Sequence, residues 1–282
     1  MKMLLKDGKR KAVTLSYDDG VIQDIRLIEI MNKYGIKGTF NLNSGQLRPE
    51  DALPITEPTG TTRDRMKLSE AVRVFKASGQ EVAVHGLNHL NPVACTDPEL
   101  VYEITADRIN LEREFGTIVK GMAYAYGNYN EAVTGVLKKC GIVYARTVAS
   151  TNGFSIPENW LEWHPTCHHN NPELMKLAES FIETPLKPIS CELRIFYLWG
   201  HSYEFDRDGN WQVIENFCSY IGGREDVWYA TNKEIYDYVE AYKRLELSMD
   251  SGIVYNPSNQ SVWARINGTA YEIKPGETKH FK

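Results

Sequence analysis

The sequence predicts an α/β fold, a barrel of seven parallel strands followed by a small C-terminal β extension. Three observations predict it. Short runs of β-forming residues alternate with segments of helical periodicity seven times over, the pattern of parallel strands joined by right-handed crossovers. The polar residues capable of chemistry gather where several of these runs end, and α/β barrels build their active sites at the C-terminal ends of their strands. After Leu245 the strand–helix alternation gives way to alternating apolar and polar residues punctuated by turns. The expected division is a barrel over 1–245 and a β-rich extension over 246–282.

Composition bounds the class. A chain of 282 residues suits one large α/β domain or a domain with an appendage. A hydrophobic content of 42% and a charged content of 24% are ordinary for a soluble globular protein. The net charge of −5 gives no reason to expect nucleic acid or an anionic membrane as partner. No apolar stretch approaches the roughly 20 residues of a membrane helix. Residues 1–11 lack the apolar core of a signal peptide. The five cysteines (Cys95, Cys140, Cys167, Cys191, Cys218) form no C-x-x-C pair, which fits reduced thiols in a cytoplasm better than a disulfide framework.

The first strand, 12–20, reads Ala-Val-Thr-Leu-Ser-Tyr-Asp-Asp-Gly. Val, Thr, Leu and Tyr suit a strand, whereas two neighbouring carboxylates do not. Gly20 permits the turn that carries both acids to the strand end. Ile22, Ile25, Ile28 and Met31 recur at helical spacing, with Gly35 as the stop. A second strand spans 37–44, and 45–64 is a long polar loop of the kind that lines sites. Ser69 is the expected cap of a helix running to Gly79.

Residues 81–85 form the third strand and end on His85. Asp97 and Pro98 open a helix that stops at Gly116. A fourth strand spans 121–127, Asn130 caps a helix to Cys140, and a fifth strand spans 141–148. A loop rich in Asn, Trp and His covers 150–171, and 172–183 is helical. The sixth strand, 194–199, leads to His201. A helix over 210–221, a seventh strand over 226–230 and a helix over 233–245 complete the barrel. In the extension, Asn256-Pro257, Asn267-Gly268 and Pro275-Gly276 mark turns between antiparallel strands.

Two strand ends, one carrying Asp18-Asp19 and the other His85-x-x-x-His89, supply a metal-binding pattern. Histidines four apart share one face of a turn and reach one ion. Asp19, His85 and His89 offer one carboxylate and two imidazoles, a set suited to zinc first and to cobalt, nickel or iron. A divalent ion lowers the pKa of water toward 7, and Asp18, beside the ligand Asp19, is the candidate base. His201, at another strand end, is the candidate acid for a leaving group. His164, His168 and His169 read as surface or pocket lining, with Trp160 and Trp163 as aromatic faces for a sugar ring. Glu204 and Asp206 read as solvated or as orienting His201, and Tyr17 as core.

Ser16-Tyr17-Asp18-Asp19-Gly20, His85-x-x-x-His89 and Leu198-x-x-His201 resemble the motifs of the polysaccharide deacetylases of the NodB-homology type, carbohydrate esterase family 4. The resemblance runs from about Lys11 to Ala241. It implies a distorted (β/α)7 barrel and metal-dependent removal of an acyl group, usually acetyl, from an amino sugar. Carried over by position, Asp18 is the base, Asp19, His85 and His89 bind the metal, and His201 is the acid. The third motif falls on Ala123-Tyr124-Ala125-Tyr126-Gly127, where the Tyr126 backbone N–H is the implied oxyanion donor. The family's arginine is absent, with Ala123 in its place, and Arg146 and Arg194 are the candidates to replace it. Three other functions compete: hydrolysis of a small amide or formyl group on the same fold, an iron oxygenase, and a sugar-binding relative without turnover.

Overall fold

The computed structural model describes residues 1–186 and 192–281; Cys191 lies outside the described residues. The chain opens on a short strand absent from the sequence reading, β1 (Lys2–Leu4), and enters the barrel through β2 (Lys11–Asp18). Every residue of β2 is buried. Its period of two divides it cleanly: Val13, Leu15 and Tyr17 pack outward beneath the helices, while Ala12 joins the core of the concave face. Thr14, Ser16 and Asp18 alternate onto that same concave side. Helix α1 (Gln23–Lys33) turns its Leu27, Ile28 and Met31 inward and leads to β3 (Gly38–Leu42).

Helix α2 (Leu68–Ser78) starts without a side-chain cap. Ser69 lies inside its first turn and donates from its N–H and hydroxyl to Glu50, at 2.8 and 2.6 Å. Strand β4 (Glu81–Val84) is followed by α3 (Asp97–Phe115), capped by Thr96 in a capping box with Glu99 rather than by Asp97. Strand β5 (Gly121–Ala123) is shorter than expected because Tyr126, at φ 59°, turns the chain into a 3₁₀ turn at Ala125–Gly127. Asn130 caps α4 (Glu131–Lys139) as expected, accepting from the Val133 N–H, and β6 (Tyr144–Arg146) follows.

The loop expected over 150–171 contains a two-residue strand, β7 (Cys167–His168), too short to leave a periodic signal. Helix α5 (Leu174–Glu183), β8 (Arg194–Gly200), the short α6 (Tyr203–Arg207), α7 (Gln212–Ile221), β9 (Val227–Tyr229) and α8 (Asn232–Lys243) complete the barrel. All its strand pairs are parallel, in the order β6-β5-β4-β3-β2-β8-β7. Lys11 pairs with both Arg194 and Val227, so β9 lies on the β3 edge of β2, beside its first three residues. The seven-strand path of this distorted (β/α)7 barrel therefore includes β7 and leaves β9 off it. Between β6 and β7 the gap is bridged by 163–166: Trp163 bonds Ala145 and Thr147, and the Thr166 N–H donates to the Tyr197 carbonyl at 2.8 Å.

The strands after α8 are β10 (Glu246–Leu247), β11 (Ile253–Tyr255), β12 (Val262–Ile266), β13 (Thr269–Ile273) and β14 (Thr278–His280). They form two small antiparallel sheets, β10-β11-β14 and β1-β12-β13. The second takes its edge from the N-terminus, with Met3 opposite Ala264. Tyr238 on α8 ties the pieces together, donating to the Leu4 carbonyl at 2.8 Å and accepting the Trp263 N–H at 2.9 Å. Among the described residues, Cys95, Cys140, Cys167 and Cys218 are free thiols, and no helix is long and apolar enough to cross a membrane.

Candidate metal centre and catalytic site

The turn after β2 holds Asp19 at φ 88° and Gly20 at φ 66°. The Asp19 N–H is anchored on the Asn41 carbonyl of β3 at 2.9 Å. His85 follows directly on β4, and His89 closes the next turn at φ 56°. Left-handed backbone at Asp19, His89 and Tyr126 places three non-glycine residues of one site in a costly conformation, as functional sites often do. The carboxylate oxygen Oδ1 of Asp19 stands 4.0 Å from His85 Nε2 and 3.9 Å from His89 Nε2. The ligand atoms of this trio all lie within 4.8 Å of one another.

The donor set fits a divalent ion. His85 Nδ1 lies 2.9 Å from the Ala123 carbonyl, so Nδ1 carries the proton and Nε2 presents its lone pair to Asp19 and His89. Burial, reinforced by the neighbouring His85, lowers the His89 pKa to about 4, which keeps that ring in the neutral, ligating form. Asp107 supports the strand end from behind, accepting the His85 N–H at 3.1 Å and the Ser44 N–H at 2.8 Å.

Asp18 is held at both oxygens. Asn41 Nδ2 donates to Oδ1 at 2.8 Å, and the Arg146 guanidinium donates to Oδ2. Burial alone would raise the carboxyl's pKa; Arg146, with His85 and His201, brings it down to about 2. Arg146 is 1% exposed, sits at the end of β6 and stacks on Trp199, 4.4 Å from the ring centroid. It supplies from the next strand end the cation missing at Ala123. Arg194 does not: its guanidinium bonds Glu192 and the Thr184 carbonyl.

His201 lies beyond β8 with Nε2 3.8 Å from Asp18 Oδ2. Its Nδ1 faces Glu204 Oε1 at 3.6 Å, an ion-pair rather than a hydrogen-bond distance. Burial would lower its pKa, but Glu204, Asp18 and Asp19 outweigh that and the net shift is upward. Glu204 is itself a hub, with the Nε2 atoms of His168 and His169 each 3.1 Å from its Oε2. Burial would raise its pKa, but the three imidazoles hold it far below the usual carboxylate range.

His168, His201 and Glu204 also cluster within 4.8 Å. Yet His168 Nδ1 accepts the Asn170 N–H at 3.1 Å, so its Nε2 carries the ring proton and has no lone pair to offer an ion beside Glu204. That makes the cluster an electrostatic support for His201 rather than a ligand set. His168 and His169 are therefore not surface lining. His169 is 1% exposed and stacks on Tyr17 at 5.7 Å. Gly200 makes room for it, since a Cβ there would lie 2.0 Å from His169 Nδ1.

Two aromatic expectations divide. Tyr126 is exposed at the rim, its ring 4.6 Å from that of His89. Trp163 is a correction: it is buried among Tyr144, Trp160 and Tyr197 and offers no open face to a sugar. Its backbone pairs with β6, which turns the indole into the concave core. Asp206 also differs from a solvated acid, accepting from Gln23 at 3.0 Å and Trp211 at 2.7 Å. Tyr17 is core, as expected. Sequence reasoning passed over Asn41, although an amide inside an otherwise apolar strand was the available signal.

A family model described as polysaccharide deacetylase matches residues 5–145, half of the chain, ending just before Arg146. No curated protein matches the sequence. Among solved structures, a candidate polysaccharide deacetylase from Mycobacterium smegmatis is 19% identical with a TM-score of 0.59, the match covering 86% of this chain and 94% of that one. The chitin deacetylase of the fungal pathogen Colletotrichum lindemuthianum is 16% identical with a TM-score of 0.50, covering 83% and 89%. At such identities the likeness concerns the fold.

Proposed function

The chain belongs to the polysaccharide deacetylase family, and from that premise we propose that it is a zinc-dependent hydrolase removing an acyl group, acetyl in the first instance, from the nitrogen of a carbohydrate. The observation that carries the reading is the position of Asp18. Its Oδ2 lies 3.8 Å from His85 Nε2 on the ligand side and 3.8 Å from His201 Nε2 on the other.

Asp19, His85 and His89 would hold the ion, whose Lewis acidity polarises the carbonyl and acidifies water enough for a base as weak as Asp18. Asp18, kept ionised by Arg146, accepts a proton from the attacking water as the oxygen bonds the carbonyl carbon. The Tyr126 N–H is the proposed donor to the oxygen on which negative charge develops. His201, kept protonated to higher pH by Glu204, gives its proton to the amine nitrogen as the carbon–nitrogen bond breaks. The products are a carboxylate and an amino sugar. The buried Arg146–Asp18 pair supports turnover over a binding-only role, because it gives the base the cation that Ala123 cannot supply.

Metal analysis of the purified protein, with acetate release from chito-oligosaccharides, tests the proposal. Stoichiometric metal and acetate release that a chelator abolishes and zinc or cobalt restores are expected. No bound metal and no rescue by either ion would overturn it.

A further inference from the structure

Asp19 has a second neighbour that the deacetylation chemistry does not use. Arg65 closes the long loop between β3 and α2, and its backbone is zipped onto the turn that carries Asp19. Val21 and Arg65 form an antiparallel bridge, the Met66 N–H donates to the Gly20 carbonyl at 2.9 Å, and the Ile22 N–H donates to the Asp64 carbonyl at 2.8 Å. The Arg65 side chain is 6% exposed. Its Nη2 donates to Asp19 Oδ1 at 3.0 Å and to Gln46 Oε1 at 2.7 Å, while Nη1 is buried without a partner.

The oxygen it uses is the telling feature. A group that supports a metal ligand steadies it from the side facing away from the ion, as the Ala123 carbonyl does for His85. Arg65 instead bonds Oδ1, the same atom that faces both imidazoles. A guanidinium is never deprotonated in a protein, so this positive charge is permanent. Donors around a tetrahedral zinc with bonds of about 2.0–2.1 Å lie about 3.3 Å apart, whereas Oδ1 stands 3.9 and 4.0 Å from the two nitrogens. Oδ1 must close on the histidines, and so either draw away from Arg65 or be shared between two cations.

We infer that Arg65 is a built-in competitor for the metal: it lowers the affinity of the Asp19–His85–His89 set, so that occupancy follows the concentration of free divalent cation. The inference rests on the reading of that set as the metal centre. It makes metal loading a point of control in the protein, set by a residue outside both the ligand set and the acid–base pair.

The test is metal affinity, read without reference to turnover. Protein stripped by chelator is titrated with Zn²⁺ against a chromophoric competitor and with Co²⁺ by visible absorption. The proteins are the unaltered chain, Arg65→Met, Arg65→Gln, Arg65→Lys and His85→Ala. Arg65→Met should bind both ions about 10–100-fold more tightly, the range over which groups bonded to a ligand alter affinity. Arg65→Gln, also neutral, should move the same way and carries the test if the methionine variant does not fold. Arg65→Lys, which keeps the charge, should stay near the unaltered protein. Equal or weaker binding by the neutral variants, with His85→Ala abolishing binding, would overturn the inference alone. If His85→Ala titrates like the unaltered protein, the metal-centre reading fails, and this inference with it.

Discussion

Replacing Arg146 by methionine should damage stability and turnover together. Arg146 and Asp18 are 1% and 2% exposed, and their ion pair has no water to take its place. At about 2 against an ordinary 3.8, the Asp18 carboxyl contributes roughly 2–3 kcal/mol to folding. Because the folded pKa is the depressed one, that contribution is present above pH 3.8 and is lost as pH falls through about 2. The variant loses more than this, since it leaves a carboxylate buried without its cation, at a cost of about 3–5 kcal/mol. For a chain of this size that lowers Tm by roughly 6–15 °C. Calorimetry on metal-stripped protein is the assay, because a bound cation would otherwise neutralise Asp18. With the base no longer held, kcat should fall by about 10²–10⁴. Arg194→Met, whose guanidinium serves Glu192 and Thr184, should leave kcat unchanged. An Arg146→Met protein with Tm within about 2 °C and kcat/KM within about threefold of the original would refute the reasoning.

The two adjacent aspartates should separate by metal content: Asp19→Asn binds zinc more weakly, while Asp18→Asn keeps the metal and loses about 10²–10⁴ in kcat. The opposite pattern, read by metal analysis beside rate, would reverse their roles. Glu204→Gln removes a carboxylate that raises the His201 pKa, so the acid should lose its proton at lower pH. The alkaline limb of the pH–kcat profile should then move downward, and an unmoved limb would separate Glu204 from the acid. Gly200→Ala forces a Cβ to within 2.0 Å of His169 Nδ1 and should cost about 1–3 kcal/mol in denaturant unfolding, whereas a neutral result would mean that the imidazole yields freely.

The interior of the site was only partly legible from composition and spacing. Asp18, Asp19, His85 and His89 stand out because charged or polar residues interrupt apolar runs, a local anomaly visible in one dimension. His168 and His169 carry the same residue chemistry, but they lie in and beside a two-residue strand inside a long irregular loop. Nothing local distinguishes them from solvated histidines until Glu204 is brought between them and His201. Trp163 erred in the opposite direction, an aromatic in a histidine-rich loop that backbone pairing to β6 turns into the core.

The sequence by itself determined the alternation of strand and helix, the stops at Gly79 and Gly116, the Asn130 cap and the acids at the end of β2. Each follows from backbone preference or from residues a few positions apart. Only the tertiary structure decided that β7 rather than β9 completes the seven-strand path, that β1 joins the C-terminal strands, and that Arg146 holds Asp18 where the family's own position carries Ala123. The pairs that decide these matters are separated by 128 residues for Arg146 and Asp18 and by 46 for Arg65 and Asp19. No periodicity in the chain records such a meeting. It exists because parallel strands bring their C-terminal ends to one rim, and a cation there can serve a carboxylate from whichever neighbouring strand end or loop delivers it.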